Sequence, residues 1–239
     1  MSVLQGEFTS SAKPTAQVIP DQTVPAMIEF MGPAGSGKST LIKRLLTESV
    51  IELQAIKTPS TRESFLKLPG LGKMIASSWN SRTSDRKLHW AEIRSMIYLE
   101  AWKNIDKNPR QHSVLFDHGP AFRLATLLEY GPTMIKSDRF RKWYQENLHF
   151  WSNSLSHVVW LDAPDDVLLE RIKTREQQHV CQNMQRTNAF DYLKKYRAAL
   201  ESTVNQMQSS GKVIVTRFNS ERSSTEEIAG QVSNALCLN

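Results

Sequence analysis

The sequence predicts an α/β fold, a parallel sheet of about five strands with helices on both faces. Short apolar runs alternate along the chain with segments whose apolar residues recur at helical spacing. The runs are apolar throughout, so both faces of the sheet must be covered, and right-handed helical crossovers between parallel strands achieve this. The residues with most chemistry, Gly32 to Ser39, Asp117 and Asp162, each follow such a run, at the strand ends where open α/β sheets collect ligands.

Residues 1–24 are rich in Ser, Thr, Gln and Pro, show neither period, and read as a disordered arm before a single domain over 25–239. Ala26 to Met31 is the first strand, stopping at Gly32. Lys38 to about Glu48 is a helix with Leu41, Ile42, Leu45 and Leu46 on its apolar face. Val50 to Ile56 fits a second strand, and residues 57–84, broken by Pro59, Pro69, Gly70 and Gly72, form a loop-rich insert with a short helix. Trp90, Ile93, Ile97, Ala101 and Ile105 place a helix over 85–107, stopped by Asn108-Pro109.

Ser113 to Phe116 is a buried strand ending at Asp117. Pro120 opens a helix that Gly131-Pro132 closes after Tyr130, and Phe140, Tyr144, Leu148 and Trp151 mark the next, with Trp143 and Trp151 read as core. His157 to Leu161 is a strand ending at Asp162, and Pro164 opens a helix through Arg175. Phe190, Leu193, Tyr196, Leu200, Val204 and Met207 define the last long helix; Lys212 to Phe218 is the final strand and 224–236 the closing helix.

A hydrophobic fraction of 40% and a charged fraction of 23% suit a globular protein, and no apolar run nears the roughly 18 residues of a membrane span. A soluble chain without membrane contact is expected. The start lacks the pattern of a secretory leader and the only cysteines are Cys181 and Cys237, so the setting is read as reducing and cytoplasmic, with inert thiols. The net charge of +6 is scattered, with local clusters at 136–142 and 171–175. Such a distribution favours an anionic small ligand over specific nucleic-acid binding.

Gly32, Pro33, Ala34, Gly35, Ser36, Gly37, Lys38, Ser39 and Thr40 complete the pattern G-x-x-x-x-G-K-[ST] between a strand and a helix. Its glycines let successive amides turn inward toward phosphate oxygens, and the helix adds the positive end of its dipole. Lys38 is placed to reach β- and γ-phosphates, and the Ser39 hydroxyl to ligate Mg²⁺. The expected architecture is thus a P-loop NTPase three-layer sandwich binding ATP with Mg²⁺. The chain carries neither the D-x-x-G and N-K-x-D motifs of a GTPase nor the L-S-G-G-Q-like signature of a transporter ATPase.

The phosphate loop, the segment Val158-Val-Trp-Leu-Asp-Ala-Pro-Asp-Asp-Val-Leu-Leu-Glu-Arg-Ile-Lys-Thr-Arg175 and the run Val114-Leu-Phe-Asp-His-Gly119 resemble the nucleoside and nucleoside-monophosphate kinases, including thymidylate and deoxynucleoside kinases. The resemblance covers about half the chain in scattered pieces. It implies ATP-dependent phosphoryl transfer to a small-molecule acceptor, and a helical lid at about 171–188 whose Arg171 and Arg175 meet the transferred phosphoryl. Their i, i+4 spacing would put both on one helix face, with Lys173 pointing elsewhere. It also implies that Asp117, favoured over Asp162, is the Mg²⁺-associated acid.

Thymidylate kinases carry an arginine directly after that acid; this chain has His118-Gly119-Pro120, with Arg123 as the nearest cation. His118 is a secondary candidate for a base. Deoxynucleoside kinases carry a glutamate base after the second strand, a region that here reads Lys57-Thr-Pro-Ser-Thr-Arg-Glu63, so Arg62 and Glu63 are candidates for acceptor contacts. The competing class is an NTP-hydrolysing regulatory or assembly protein acting on a macromolecular partner.

Overall fold

The computed structural model describes residues 26–48, 53–55, 89–103, 113–131 and 138–235. The expected N-terminal arm, the insert at 57–84 with Arg62 and Glu63, and Cys237 lie outside the described residues. Strand β1 (Met27–Met31) leads into helix α1 (Lys38–Glu48), then β2 (Leu53–Ala55), α2 (Trp90–Trp102), β3 (Ser113–Asp117) and α3 (Pro120–Tyr130). The chain continues through α4 (Asp138–Ser154), β4 (His157–Asp162), α5 (Asp165–Thr174), α6 (Arg186–Ser210), β5 (Ile214–Asn219) and α7 (Thr225–Ala235).

The strands run parallel in the order β2-β3-β1-β4-β5. Four of them are five or six residues long. The expected second strand is shorter than the sequence suggested: Leu53–Ala55 pairs three residues with β3 at the edge. The count of about five is therefore reached only through this short edge strand.

Side chains alternate across the sheet with a period of 2, as strand geometry requires. Ile28, Phe30, Leu115, Val159 and Leu161 face α1 and α7, meeting Leu41, Leu45, Ile228 and Val232. Met31, Phe116, Val158 and Trp160 face the other way, onto a larger core from α2, α3, α4 and α6 that includes Tyr144, Trp151, Leu200 and Met207. Trp151 is fully buried and packs edge-on against Phe116. Each such side chain contributes about 2 to 3 kcal/mol of burial, so the two covered faces account for the parallel arrangement. Trp143 is only partly buried, and its Nε1 donates to Glu100 Oε1 at 2.7 Å.

A third cluster joins α5 to α6: Leu168, Leu169 and Ile172 pack with Cys181, Ala189 and Leu193. The expected helical lid at about 171–188 is not shown as one continuous helix. Helix α5 stops at Thr174, and the chain folds through a short 3₁₀ turn, Val180–Asn183, before α6 begins. The Gln182 side-chain amide donates to the carbonyls of Ile172, Arg175 and Gln177, and Cys181 is buried beneath them.

Candidate active site

The segment Gly32–Gly37 curls between the end of β1 and the start of α1, with φ of 136°, 82° and 92° at Gly32, Gly35 and Gly37. These angles favour glycine, and Gly32 is held by space as well: a Cβ there would stand 1.8 Å from the carbonyl oxygen of Leu161 on β4. No acidic residue occupies the first turn of α1, so its N-terminal partial charge stays available to an anion.

Lys38 is buried, and its ammonium donates to the carbonyls of Gly32 at 2.9 Å and Pro33 at 2.8 Å and to Ser36 Oγ at 3.4 Å. Burial pulls its pKa down to about 8, with Arg175 adding to the fall and the charges of Asp117 and Asp162 opposing it. A negative ligand beside it would restore the charged form.

Ser39 Oγ donates to Asp117 Oδ2 at 2.9 Å, joining the start of α1 to the end of β3. The other carboxylate oxygen, Oδ1, stands 3.2 Å from His118 Nδ1. Hydroxyl and carboxylate together form a hard oxygen pair, the chemistry that suits Mg²⁺, which takes one or two protein oxygens and fills its octahedron from phosphates and water. Among the described residues no group of three or more His, Cys, Asp and Glu forms a metal cage.

Asp162, the other strand-end acid, is committed elsewhere. Arg197 of α6 holds Oδ2 through Nε at 2.7 Å and Oδ1 through Nη2 at 3.2 Å, and the Ala163 amide donates to Oδ1 at 2.8 Å. Arg197 also reaches Asp165 at 2.6 Å. These contacts explain the acid at that position as a clamp between β4, α5 and α6.

The arginines separate in the same way. Arg171 donates to Ser220 Oγ and Ser220 O, both at 2.9 Å, and to Gly35 O at 3.4 Å, tying α5 to the loop after β5 and to the phosphate loop. Arg175 is the C-cap of α5, with ψ of 150°, so the chain leaves the helix immediately after it. Its Nε is buried without a hydrogen-bond partner among the described residues. Both still line one cavity of about 840 Å³, a size that suits a nucleotide-scale ligand. Lys173 is exposed and is not among the lining residues.

The sheet order places β3 and β5 on opposite sides of β1. The cavity accordingly runs across the phosphate loop from His118 on one side to Ser220, Ser224 and Thr225 on the other, with Tyr196 of α6 also lining it. His118 has φ of 57°, a strained conformation for a non-glycine residue, and its ring lies 4.3 Å from that of Phe122. Burial depresses its pKa; Asp117 pulls the other way.

Several of these residues gave no sequence signal that was read. Glu29 lies fully buried on β1, facing the aromatic core, and accepts the amides of Ala121 at 2.7 Å and Phe122 at 2.9 Å at the start of α3. Burial raises its pKa to about 7 against the opposing pull of those amides and Arg123. A lone acid in the run Met27-Ile-Glu-Phe-Met31 was the available clue. Ser224 and Glu227 form a reciprocal cap at the start of α7, legible as S-x-x-E.

No protein-family model matches the chain, and no curated protein matches it in sequence. Solved structures do match. The chain aligns over 89% of its length with 96% of the YorR protein of Bacillus subtilis, solved in complex with phosphorylated GDP, at a TM-score of 0.50 and 15% identity. Thymidylate kinase from Candida albicans matches over 89% of this chain and 91% of its own at a TM-score of 0.51 and 13% identity. The fold is that of the P-loop nucleoside and nucleotide kinases. Deoxyadenosine kinase from M. mycoides, solved with bound dATP, matches over 88% of this chain and 99% of its own at a TM-score of 0.51 and 15% identity. At such identities the likeness is one of fold. Among the described residues no helix is long and apolar enough to cross a membrane.

Proposed function

We propose that the chain is a P-loop kinase that transfers the γ-phosphoryl group of ATP to a small-molecule acceptor in the cytoplasm. The observation that carries this reading is the Ser39–Asp117 hydrogen bond, because it joins the phosphate loop to the β3 acid beside a cavity of nucleotide size. Phosphoryl transfer asks little covalent chemistry of the protein, so positioning and charge neutralisation carry the rate.

The amides of the phosphate loop and the start of α1 hold the β- and γ-phosphates, with Gly32 to Thr40 as the cradle. Lys38 turns from the Gly32 and Pro33 carbonyls to the phosphate oxygens. Ser39 and Asp117 would hold Mg²⁺, which would supply neutralisation of phosphate charge. Arg171 braces the nucleotide end of the cavity through Ser220, while Arg175 meets the moving phosphoryl. The segment from Arg171 to about 188 serves as the cover that keeps water from the transfer. The acceptor enters on the β3 side, near His118.

ADP release measured across a panel of nucleosides, nucleoside monophosphates, sugars and antibiotics tests the proposal. Acceptor-dependent turnover is expected. Slow hydrolysis that no acceptor accelerates would instead make the chain an NTP-hydrolysing regulatory protein.

A further inference from the structure

Helix α3 takes its cap from another element. Its N-cap residue, Gly119, has no side chain, and the first turn donates instead into β1: Ala121 N to Glu29 Oε2 at 2.7 Å and Phe122 N to Glu29 Oε1 at 2.9 Å. Each carboxylate oxygen takes one amide, the contacts that an N-cap acid makes within its own helix, here supplied from 92 residues away. Glu29 is fully buried, so water does not share this grip. The fit is close: a Cβ at Gly119 would stand 2.8 Å from Glu29 Cδ and 2.5 Å from Phe116 Cβ.

Little torsional freedom separates this grip from Asp117. Phe30 pairs with Asp117 in the β1–β3 ladder, Pro120 has a fixed φ, and His118, which turns the chain between them, is left-handed with φ of 57°. Such a conformation persists only where its surroundings impose it. The His118 imidazole is held on two sides. Its Nδ1 stands 3.2 Å from Asp117 Oδ1, and its ring centroid lies 4.3 Å from that of Phe122, whose amide Glu29 holds. Asp117 Oδ2 in turn accepts from Ser39 Oγ at 2.9 Å. Contacts therefore run unbroken from Glu29 through Phe122 and His118 to Asp117 and the phosphate loop.

We infer that Glu29 is a positioning residue for phosphoryl transfer: gripping the first turn of α3 from the central strand, it holds the left-handed His118 corner and so aims the Asp117 carboxylate at Ser39. The inference rests on the kinase reading above, with Ser39 and Asp117 as the place for Mg²⁺. A helix cap alone would affect stability. A positioning residue also sets how strongly Mg²⁺ and nucleotide favour each other's binding.

Glu29→Gln tests it, because the variant keeps the shape but sets an amide N–H where an α3 amide needs an acceptor. Met207→Ala, a buried core change away from the cavity lining, is the control for lost stability. Measurements are made at about pH 8.5, above the Glu29 pKa of about 7, so that the wild-type carboxylate is charged. The first readout needs neither metal nor turnover: nitrogen NMR of the imidazoles in the metal-free protein. His118 should be the Nδ1–H tautomer beside Asp117, and should lose that preference in Glu29→Gln. The second is ATP affinity by equilibrium titration, with Mg²⁺ and with EDTA. The enhancement by Mg²⁺ should fall about fivefold or more in Glu29→Gln, while affinity in EDTA changes less than about twofold. With acceptor present, kcat should fall about tenfold and recover in part as Mg²⁺ rises. Met207→Ala should lose stability and keep all three. Gly119→Ala, whose Cβ presses on the same carboxylate, should reproduce the Glu29→Gln signature, and it carries the test if that variant does not fold.

An unchanged His118 tautomer with an unchanged Mg²⁺ enhancement would leave Glu29 a helix cap only and overturns the inference. An equal loss of ATP affinity with and without Mg²⁺ overturns it too, since the effect would then lie on the phosphate loop. Titration needs no turnover, so the two readings fail separately. If the Mg²⁺ enhancement falls as expected but no acceptor drives ADP release, the positioning role stands and the kinase reading fails. Acceptor-dependent turnover with the same kcat and Mg²⁺ dependence in wild type and Glu29→Gln would do the reverse.

Discussion

Arg197 holds Asp162 by both carboxylate oxygens, while 45 residues earlier Asp117 bonds to Ser39. Two acids that end the two apolar strands flanking β1 are thereby given different work. One is built into a clamp, and the other faces the phosphate loop.

Replacing these acids should separate the two roles. Asp117→Asn should lower turnover and shift the Mg²⁺ concentration needed for half-maximal rate, with thermal stability unchanged. Asp162→Asn should instead lower stability by about 1 to 3 kcal/mol, since Arg197 loses a charged acceptor, and leave the Mg²⁺ dependence alone. A magnesium titration of initial rates and a denaturant melt read both. The reversed pattern would exchange the assignments.

Lys38→Met removes a buried charge along with the phosphate contact. Turnover should fall by about 10³-fold or more, while stability holds or rises because the desolvated ammonium is gone. Steady-state kinetics and a denaturant melt on the same preparation check this. Near-normal turnover in the folded variant would remove the phosphate-loop assignment.

The geometry of the two arginines sets a kinetic contrast. Arg175→Ala should cut kcat by about 10- to 100-fold while ATP affinity changes less than about threefold, because the ground-state nucleotide keeps its loop contacts. Arg171→Ala frees Ser220 and the Gly35 carbonyl and should weaken ATP binding by about fivefold or more, with a smaller effect on kcat. Equilibrium ATP titrations beside saturating-acceptor kinetics distinguish them, and equal small effects would return both arginines to a purely structural role.

Glu29 predicts a pH dependence of stability. Its folded pKa, about 7, lies above the ordinary carboxylate value, so between pH 4.5 and 7 the unfolded chain gives up this proton first. The unfolded state then binds fewer protons, and stability falls as pH rises through that window and levels off above 7. The full effect is on the order of 3 kcal/mol at 1.36 kcal/mol per pKa unit. Thermal melts from pH 5 to 8 should show this decline in the wild type and a flatter profile in Glu29→Gln. A parallel profile would place the titration elsewhere.

The legible part of the chain was the part governed by local rules. Apolar periodicity located β1, α1, β3, α3, β4 and α7 to within a residue or two, and the spacing of glycines, lysine and serine located the phosphate cradle. Contacts between distant elements were not legible. Nothing local announces that Arg197 will meet Asp162, or that Glu29 will cap a helix 92 residues away. Arg171 and Arg175, four residues apart, both line the same cavity, although helix α5 itself stops at Thr174.

The seat of Gly32 against the Leu161 carbonyl has a consequence for synthesis of the chain. Strand β1 is made early but lies at the centre of the sheet, between β3 and β4, whose partners to Met27 and Met31 begin at Val114 and extend to Trp160. A ribosome must therefore deliver β3 and β4, the latter reaching Trp160, before β1 has both neighbours and the phosphate loop has its floor. Such long-range closure is slow and leaves an apolar strand uncovered during elongation. The phosphate loop is thus translated long before it acquires its shape.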